Sequence, residues 1–261
     1  MPFATPMTVL LNYADHHFRR AQQRNTKSAR RVGGFDEVRS YCPQDIDPTF
    51  RRAHEGILNQ EKGAGYWLWK PYFIVRTLND LPDGTWLFYC DAGAHFVKPV
   101  DLLIRALHPF DQDVFPFSLH NHPELHWTRP EVFWELAPGR YDLQLTEQRI
   151  ATCHLWRNGP EAKNFAASWL EYASRPELLL DPSEPDTIGN GFLAHRHDQS
   201  IFSVLSKLHN QRAFRDPSQF GNGRIGSSPN SPYPQIIELT RRRDVSLAGR
   251  IKRFLKSFLN G

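Results

Sequence analysis

The chain has 261 residues, 40% apolar and 13% aromatic, which is enough to build the core of one large α/β domain and too hydrophobic for a disordered segment. Its three cysteines, Cys42, Cys90 and Cys153, are too few and too scattered for a disulfide framework or a C-x-x-C metal knuckle, and no apolar run nears the roughly 18 to 20 residues that cross a bilayer. The net charge of +4 is unevenly placed: residues 19–31 carry six cations and no acid, residues 241–256 carry seven cations against Asp244, and the remainder of the chain stands at −8.

In chain order, "MTVLLNYAD" reads as a short apolar strand and "HHFRRAQQRNTKSARR" as an exposed helix. "FDEVRSYCPQD" is a second strand running into a turn. Asp47 followed by Pro48 starts a helix, the carboxylate capping free N–H groups and proline suiting the first helical position; Phe50, Ile57 and Leu58 share its inner face, and Gly63 is expected to stop it. Pro71 opens the helix "PYFIVRTLNDL", with Lys70 at its N-terminal edge. "PDG" makes a turn and "TWLFYC" a strand, so residues 8–90 alternate strands and helices as a parallel sheet with covering helices does.

The middle reads as a strand, an irregular segment and a short helix over "DVFPFSLHNHPELHWTRPEVFWELAPGRYD", then a strand, "QRIATCHLW", and a helix over 161–174 on the spacing of Phe165, Trp169 and Tyr172. "RPELLLDPSEPDTIGNGF" is a loop. A last helix carries the stripe Ile201, Val204, Leu205 and Leu208, with Asp198 as its cap and His195, Arg196 and His197 at its N-terminus. Residues 215–235 are rich in Gly, Ser, Pro and Asn and read as an extended, mobile tail. In "RIKRFLKSFLNG" an apolar stripe beside four cations suits an interfacial helix, which points to an anionic membrane surface.

Three stretches carry candidate chemistry. Asp91 falls just past a strand's C-terminal end, where open α/β sheets bind ligands, and Gly93 lets a ligand approach the backbone. "HRHDQS" sets histidines and an arginine at a helix N-terminus, a setting for a diphosphate, and a histidine there can join Asp91 on a divalent cation. "GAGYWLWKP" offers Trp67 and Trp69 as a flat platform for a sugar or base and Lys70 as a point charge for phosphate. The histidines of "HNHPELH" lack ligand spacing. There is no G-x-G-x-x-G, no P-loop and no nucleic-acid-binding motif, so dinucleotides, P-loop chemistry and nucleic-acid partners lose their support.

The ordered combination of "GYWLWKP", "YCDAG" and "HRHDQS", with "GGFDEVRSYCPQDID", "WTRPEVF" and "TEQRIATCHLW" between and before them, resembles GT-A-type glycosyltransferases of the nucleotide-diphospho-sugar transferase superfamily over roughly residues 8–210. The resemblance implies a single-domain α/β fold, a GT-A, Rossmann-like, mostly parallel sheet flanked by helices. Residues 1–214 would form the GT-A-like catalytic domain, and 215–261 a flexible Gly/Pro/Ser segment with a basic amphipathic C-terminal helix. It implies a nucleotide-sugar donor, a UDP-sugar before a GDP-sugar, and Mn2+ or Mg2+ held by Asp91, His195 and His197. "YCDAG" would stand where the family carries Asp-x-Asp, with Gly93 replacing the second acid.

Asn12, Tyr13 and Asp15 would lie by the base and ribose. Trp67, Lys70, Gly93, His195, Arg196, His197 and Gln199 would contact the donor, Asp91 and Asp198 would be the catalytic carboxylates, and Gln148 and Arg129 would touch sugar or acceptor. The acceptor implied is a glycan or a lipid-linked glycan of surface polysaccharide synthesis, reached by a hexosyltransferase that is cytoplasmic or peripheral on the inner face of a membrane. Two other readings of the same residues are a metal-dependent hydrolase or phosphoesterase using Asp91, His95, His195, His197 and Asp198, and a catalytically inert nucleotide-sugar-binding protein.

Overall fold

The computed structural model describes residues 6–181, 191–222 and 232–240. Strand β1 (Thr8–Tyr13) leads into helix α1 (Arg19–Ser28), which a π-helical turn extends to Gly33, and then into β2 (Glu37–Tyr41). Asp47 caps α2 (Pro48–Ala53) as expected, accepting from the N–H groups of Thr49 and Phe50. The expected long helix breaks at His54 (φ −122°), and α3 (Glu55–Leu58) follows. Gly56 lies in that stretch, and glycine lowers helix propensity. Gly63 therefore opens the single turn α4 (Gly63–Tyr66) instead of stopping a helix.

Helix α5 (Trp69–Asp80) takes both Lys70 and Pro71 into its first turn. Strand β3 (Trp86–Cys90) is wholly buried, and β4 (Ala94–Phe96), α6 (Asp101–Leu107), β5 (Val114–Pro123), α7 (Glu124–Trp127) and α8 (Pro130–Leu136) come next. Strand β6 (Glu147–Arg157) and helices α9 (Pro160–Ala173), α10 (Pro176–Leu179) and α11 (Asp198–Leu208) complete the chain's main body.

The central sheet has five strands in the order β2-β1-β3-β6-β5. Strand β1 pairs parallel with β2 and β3, while β6 runs antiparallel between β3 and β5, so four of the five strands share one direction. The mixed α/β, mostly parallel sheet flanked by helices is the fold class expected from sequence. Period-2 alternation sorts the side chains: Val9, Leu11, Leu87 and Tyr89 face a core closed by α5, α9 and α11, and Leu10, Phe88 and Cys90 face a second core with α6 and Phe96.

The part of the tail that is described is built into this body. Tyr233, Ile236 and Ile237 are buried in the second core, and β7 (Ile237–Leu239) pairs antiparallel with β4. The expectation of an extended, mobile tail over 215–235 is thus corrected for 215–222 and 232–235: apolar residues among the Gly, Ser and Pro seat this stretch on the second core and lead it into a short strand. The basic amphipathic helix expected at the C-terminus lies outside the described residues. Among the described residues no helix is long and apolar enough to cross a membrane.

Candidate active site

The parallel strands β1 and β3 end on the same side of the sheet, and β6 enters from that side. There lies a cavity of about 300 Å3, lined by Lys62, Trp67, Asp91, Arg196 and His197 among others, with Lys70 and Asp198 at its floor. Strand β3 delivers Asp91, whose N–H donates to the Thr152 carbonyl of β6. The Ala94 N–H donates back to the Asp91 carbonyl, so "DAGA" is a tight turn into β4. The Gly93 carbonyl accepts from the Thr240 backbone and hydroxyl, both at 2.9 Å. Gly93 therefore ties the turn to Thr240, the residue that follows Leu239, and does not line the cavity.

Asp91 is half-exposed, with 38% of its side chain open, while Lys70 and Asp198 are buried beneath it at 3% and 5%. The Lys70 ammonium lies 2.7 Å from Asp198 Oδ2 and 3.7 Å from Asp91 Oδ1, and donates to the Ala151 carbonyl at 3.1 Å. The Tyr89 hydroxyl donates to Asp91 Oδ1 at 2.5 Å. Asp91, the residue after β3, comes two positions after Tyr89, and that spacing is the sequence signal by which Tyr89 could have been found. Burial alone would lower the Lys70 pKa, but the charges of Asp198 and Asp91 outweigh it and raise it. Burial pushes the Asp198 carboxyl up to about 6 against the pull of Lys70, with Asp91 adding to the rise.

Asp198 was expected to cap α11. The N-cap position belongs to His197, and the Asp198 carboxylate turns instead to Lys70. Lys70, expected as an open charge for phosphate, is likewise engaged by two carboxylates. The start of α11 is held by Trp169 Nε1, which donates to the Asp198 carbonyl at 3.0 Å, and by Gln199, whose Oε1 accepts from the Ala151 N–H and whose Nε2 donates to Gln148. Farther along, Glu124 accepts from Lys207 at 2.6 Å in a buried pair that ties α11 to α7. Gln199 and Gln148 thus spend their amides on the fold, as does Arg129, which forks onto Glu131 and donates to the Leu180 carbonyl.

The histidines part company with the metal reading. His195 is buried; Arg129 N–H donates to its Nδ1 at 3.4 Å, and Nε2 donates to the Leu178 carbonyl at 2.9 Å, so both ring nitrogens are engaged. His197 Nδ1 donates to the Leu179 carbonyl, and its Nε2 faces Asp181 Oδ1 at 3.8 Å. Burial lowers the His197 pKa to about 4, so the ring is neutral near pH 7. Asp91, His195 and His197 do not converge as a ligand set, and the ammonium of Lys70 already stands beside Asp91; these residues do not fit a divalent cation held by the protein alone. Among the described residues, the ligand atoms close enough to share a metal are those of Asp15, His16 and His17, which do not line the cavity. His95 sits on β4, paired with Glu238, and also stands outside the cavity, so the set required of a hydrolase is not assembled.

At the first strand's end, Asn12 is fully buried and donates to Asn25 and Thr26 of α1, and Tyr13 is buried with its ring stacked on Trp69 at 3.8 Å. Neither reaches the cavity; Asp15 is partly exposed beside it in sequence only. Trp69 belongs to the core, while Trp67 lines the cavity with His197 stacked on it at 5.5 Å. Arg196 lays its guanidinium over Trp127 at 4.4 Å.

The turn that presents Trp67 is strained. Ala64, Tyr66, Trp67 and His197, none a glycine, all have positive φ, between 49° and 62°. Gly65 (φ +96°) tolerates that path, and a Cβ there would meet Leu58 Cα at 2.8 Å. At the rim Asp181 accepts from Lys62 at 2.6 Å and Tyr66 at 2.8 Å. Lys62, Tyr66 and Asp181 had no sequence signal, since 119 positions separate Lys62 from Asp181.

The raised Asp198 pKa makes a pH prediction. The folded carboxyl holds its proton at about 6, the unfolded one at about 4, so the fold binds more protons between those values. Its contribution to stability is complete below about pH 4 and lost as pH rises through about 6, a change on the order of 2–3 kcal/mol. Urea unfolding of wild type and Asp198→Asn across pH 4–7 reads it as a difference in slope; parallel curves would contradict it.

No protein-family profile and no curated protein matches the chain. Among solved structures the chain is similar to mouse xyloside xylosyltransferase 1 in its apo form, at 10% identity and a TM-score of 0.48, covering 90% of this chain and 97% of that one. It is also similar to the galactosyltransferase LgtC in complex with donor and acceptor sugar analogs, at 11% identity and a TM-score of 0.47, covering 95% of this chain and 94% of that one.

Proposed function

We propose that the protein transfers a sugar from a nucleoside-diphosphate donor to a glycan or lipid-linked acceptor. One observation carries the reading: a half-exposed carboxylate, Asp91, stands at the C-terminal end of a parallel strand, backed by a buried ammonium and opening on a cavity with cations at its wall. Asp91 is the acid with an open face, so it meets the donor sugar or the acceptor hydroxyl. Lys70, locked between Asp91 and Asp198, keeps positive charge fixed beneath the reacting bond without reorganising. Arg196 and Lys62 at the wall suit the diphosphate, and Trp67 a flat ring.

A UDP-sugar before a GDP-sugar as the donor is taken from the sequence resemblance. A hexose as the sugar and a surface polysaccharide as the product complete the reading on the strength of the sequence resemblance. Among the described residues, protein groups alone assemble no metal centre in the cavity, and nucleotide binding is expected to proceed without manganese.

The test is thermal stabilisation by UDP, GDP, CDP and TDP, each with and without manganese. At 100 times its dissociation constant the right nucleotide adds about 2.7 kcal/mol. UDP stabilising the wild type in either condition is the expected result. No response to any of the four would overturn the reading.

A further inference from the structure

We propose that α1 and its π-turn form a docking face for an anionic phospholipid surface. Arg19, Arg20, Arg24, Lys27, Arg30 and Arg31 are all exposed, while Ala21, Asn25 and Ala29 face inward. Arg20, Arg24, Lys27 and Arg31 recur at intervals of four, three and four, so they form one row along about 16 Å of helix flank. Asn25 fixes the helix from inside by donating to Cys90 Sγ and the Ala94 carbonyl, which keeps the basic side turned outward.

The charge is placed against the helix's own interest. Its first turn has no acid and begins with two arginines, where the positive end of the dipole disfavours cations. Neighbours three and four apart on the row repel one another. Among the described residues, Arg19, Arg24, Lys27, Arg30 and Arg31 join no ion pair, and the flanking acids are turned elsewhere. Asp15 accepts from the His17 N–H, Asp36 from Thr8, and Glu37 pairs with Arg39. An anionic surface relieves both repulsions at once.

The shape favours lipid over nucleic acid. The face is a convex helix flank with an exposed valine, Val32, at its end, and no exposed aromatic residue within 19–34 offers a base a stacking platform. The face is separate from the cavity, so the inference stands or falls independently of sugar transfer.

The experiment is co-sedimentation of the full chain with vesicles of phosphatidylcholine alone and with 30% phosphatidylserine, in low and high salt, beside single- and double-stranded DNA oligonucleotides. Each cation near such a surface is worth about a fivefold gain in binding. The triple variant Arg24→Glu, Lys27→Glu, Arg31→Glu is expected to lose at least about a hundredfold in affinity for the anionic vesicles, with a melting temperature no lower than that of the wild type. The corresponding triple glutamine variant should lose a smaller factor in the same direction, which separates charge from any damage to the helix. Unchanged vesicle binding in both variants would overturn the proposal, as would tighter binding to DNA than to the anionic vesicles.

Discussion

Asp91→Asn is expected to lower sugar transfer on the order of a thousandfold while leaving the fold intact. The substitution removes the charge and keeps a side-chain oxygen able to accept from the Tyr89 hydroxyl, so no buried donor is orphaned. Asp91→Ala is the harsher change: it strips the acceptor from a buried tyrosine and adds about 1–3 kcal/mol of destabilisation to the loss of activity. A thousandfold corresponds to about 4 kcal/mol of transition-state stabilisation, the scale at which one preorganised group acts in a water-poor site. Turnover of a UDP-sugar and urea unfolding, measured on both variants, check this together. Full turnover in Asp91→Asn would remove the carboxylate from the chemistry.

Lys70→Met should cost about 3–5 kcal/mol of stability, because it leaves two carboxylates facing each other over a buried apolar stem. Asp198 then loses the one charge that pulls its pKa down, so its proton is held to still higher pH. Adding Asp198→Asn should return part of the loss, and the double-mutant cycle should give a coupling energy of about 1–3 kcal/mol. A Lys70→Met protein within about 0.5 kcal/mol of wild type would show that the pair does not hold the site together.

Lys70 also shows where a sequence can mislead. A lysine beside tryptophans and glycines at a helix start reads as a phosphate ligand, because nothing in the local pattern announces the two acids that claim it, 21 and 128 positions later. The same holds for "HRHDQS". Its position at the head of a helix was legible from the stripe Ile201, Val204, Leu205 and Leu208, but the direction of each ring was set by carbonyls of Leu178 and Leu179 brought in from α10. Asn12 and Tyr13 were placed correctly at a strand's end. Their fate as structural residues followed from α1 and Trp69 closing over them.

The strands, most helices and the placement of Asp91 at a strand's C-terminal end were determined by local chemistry: runs of Val, Leu and aromatic residues with period 2, a capping aspartate before proline, and turn residues at "PDG". Those signals act over a few residues and survive in any context. The antiparallel course of β6, the seating of the tail as β7, the strained turn that presents Trp67 and the engagement of Lys70 by Asp91 and Asp198 were decided by the tertiary structure alone. Each depends on partners far apart in the chain, and a buried ammonium or a positive φ at a tryptophan is tolerated only where the surrounding packing enforces it.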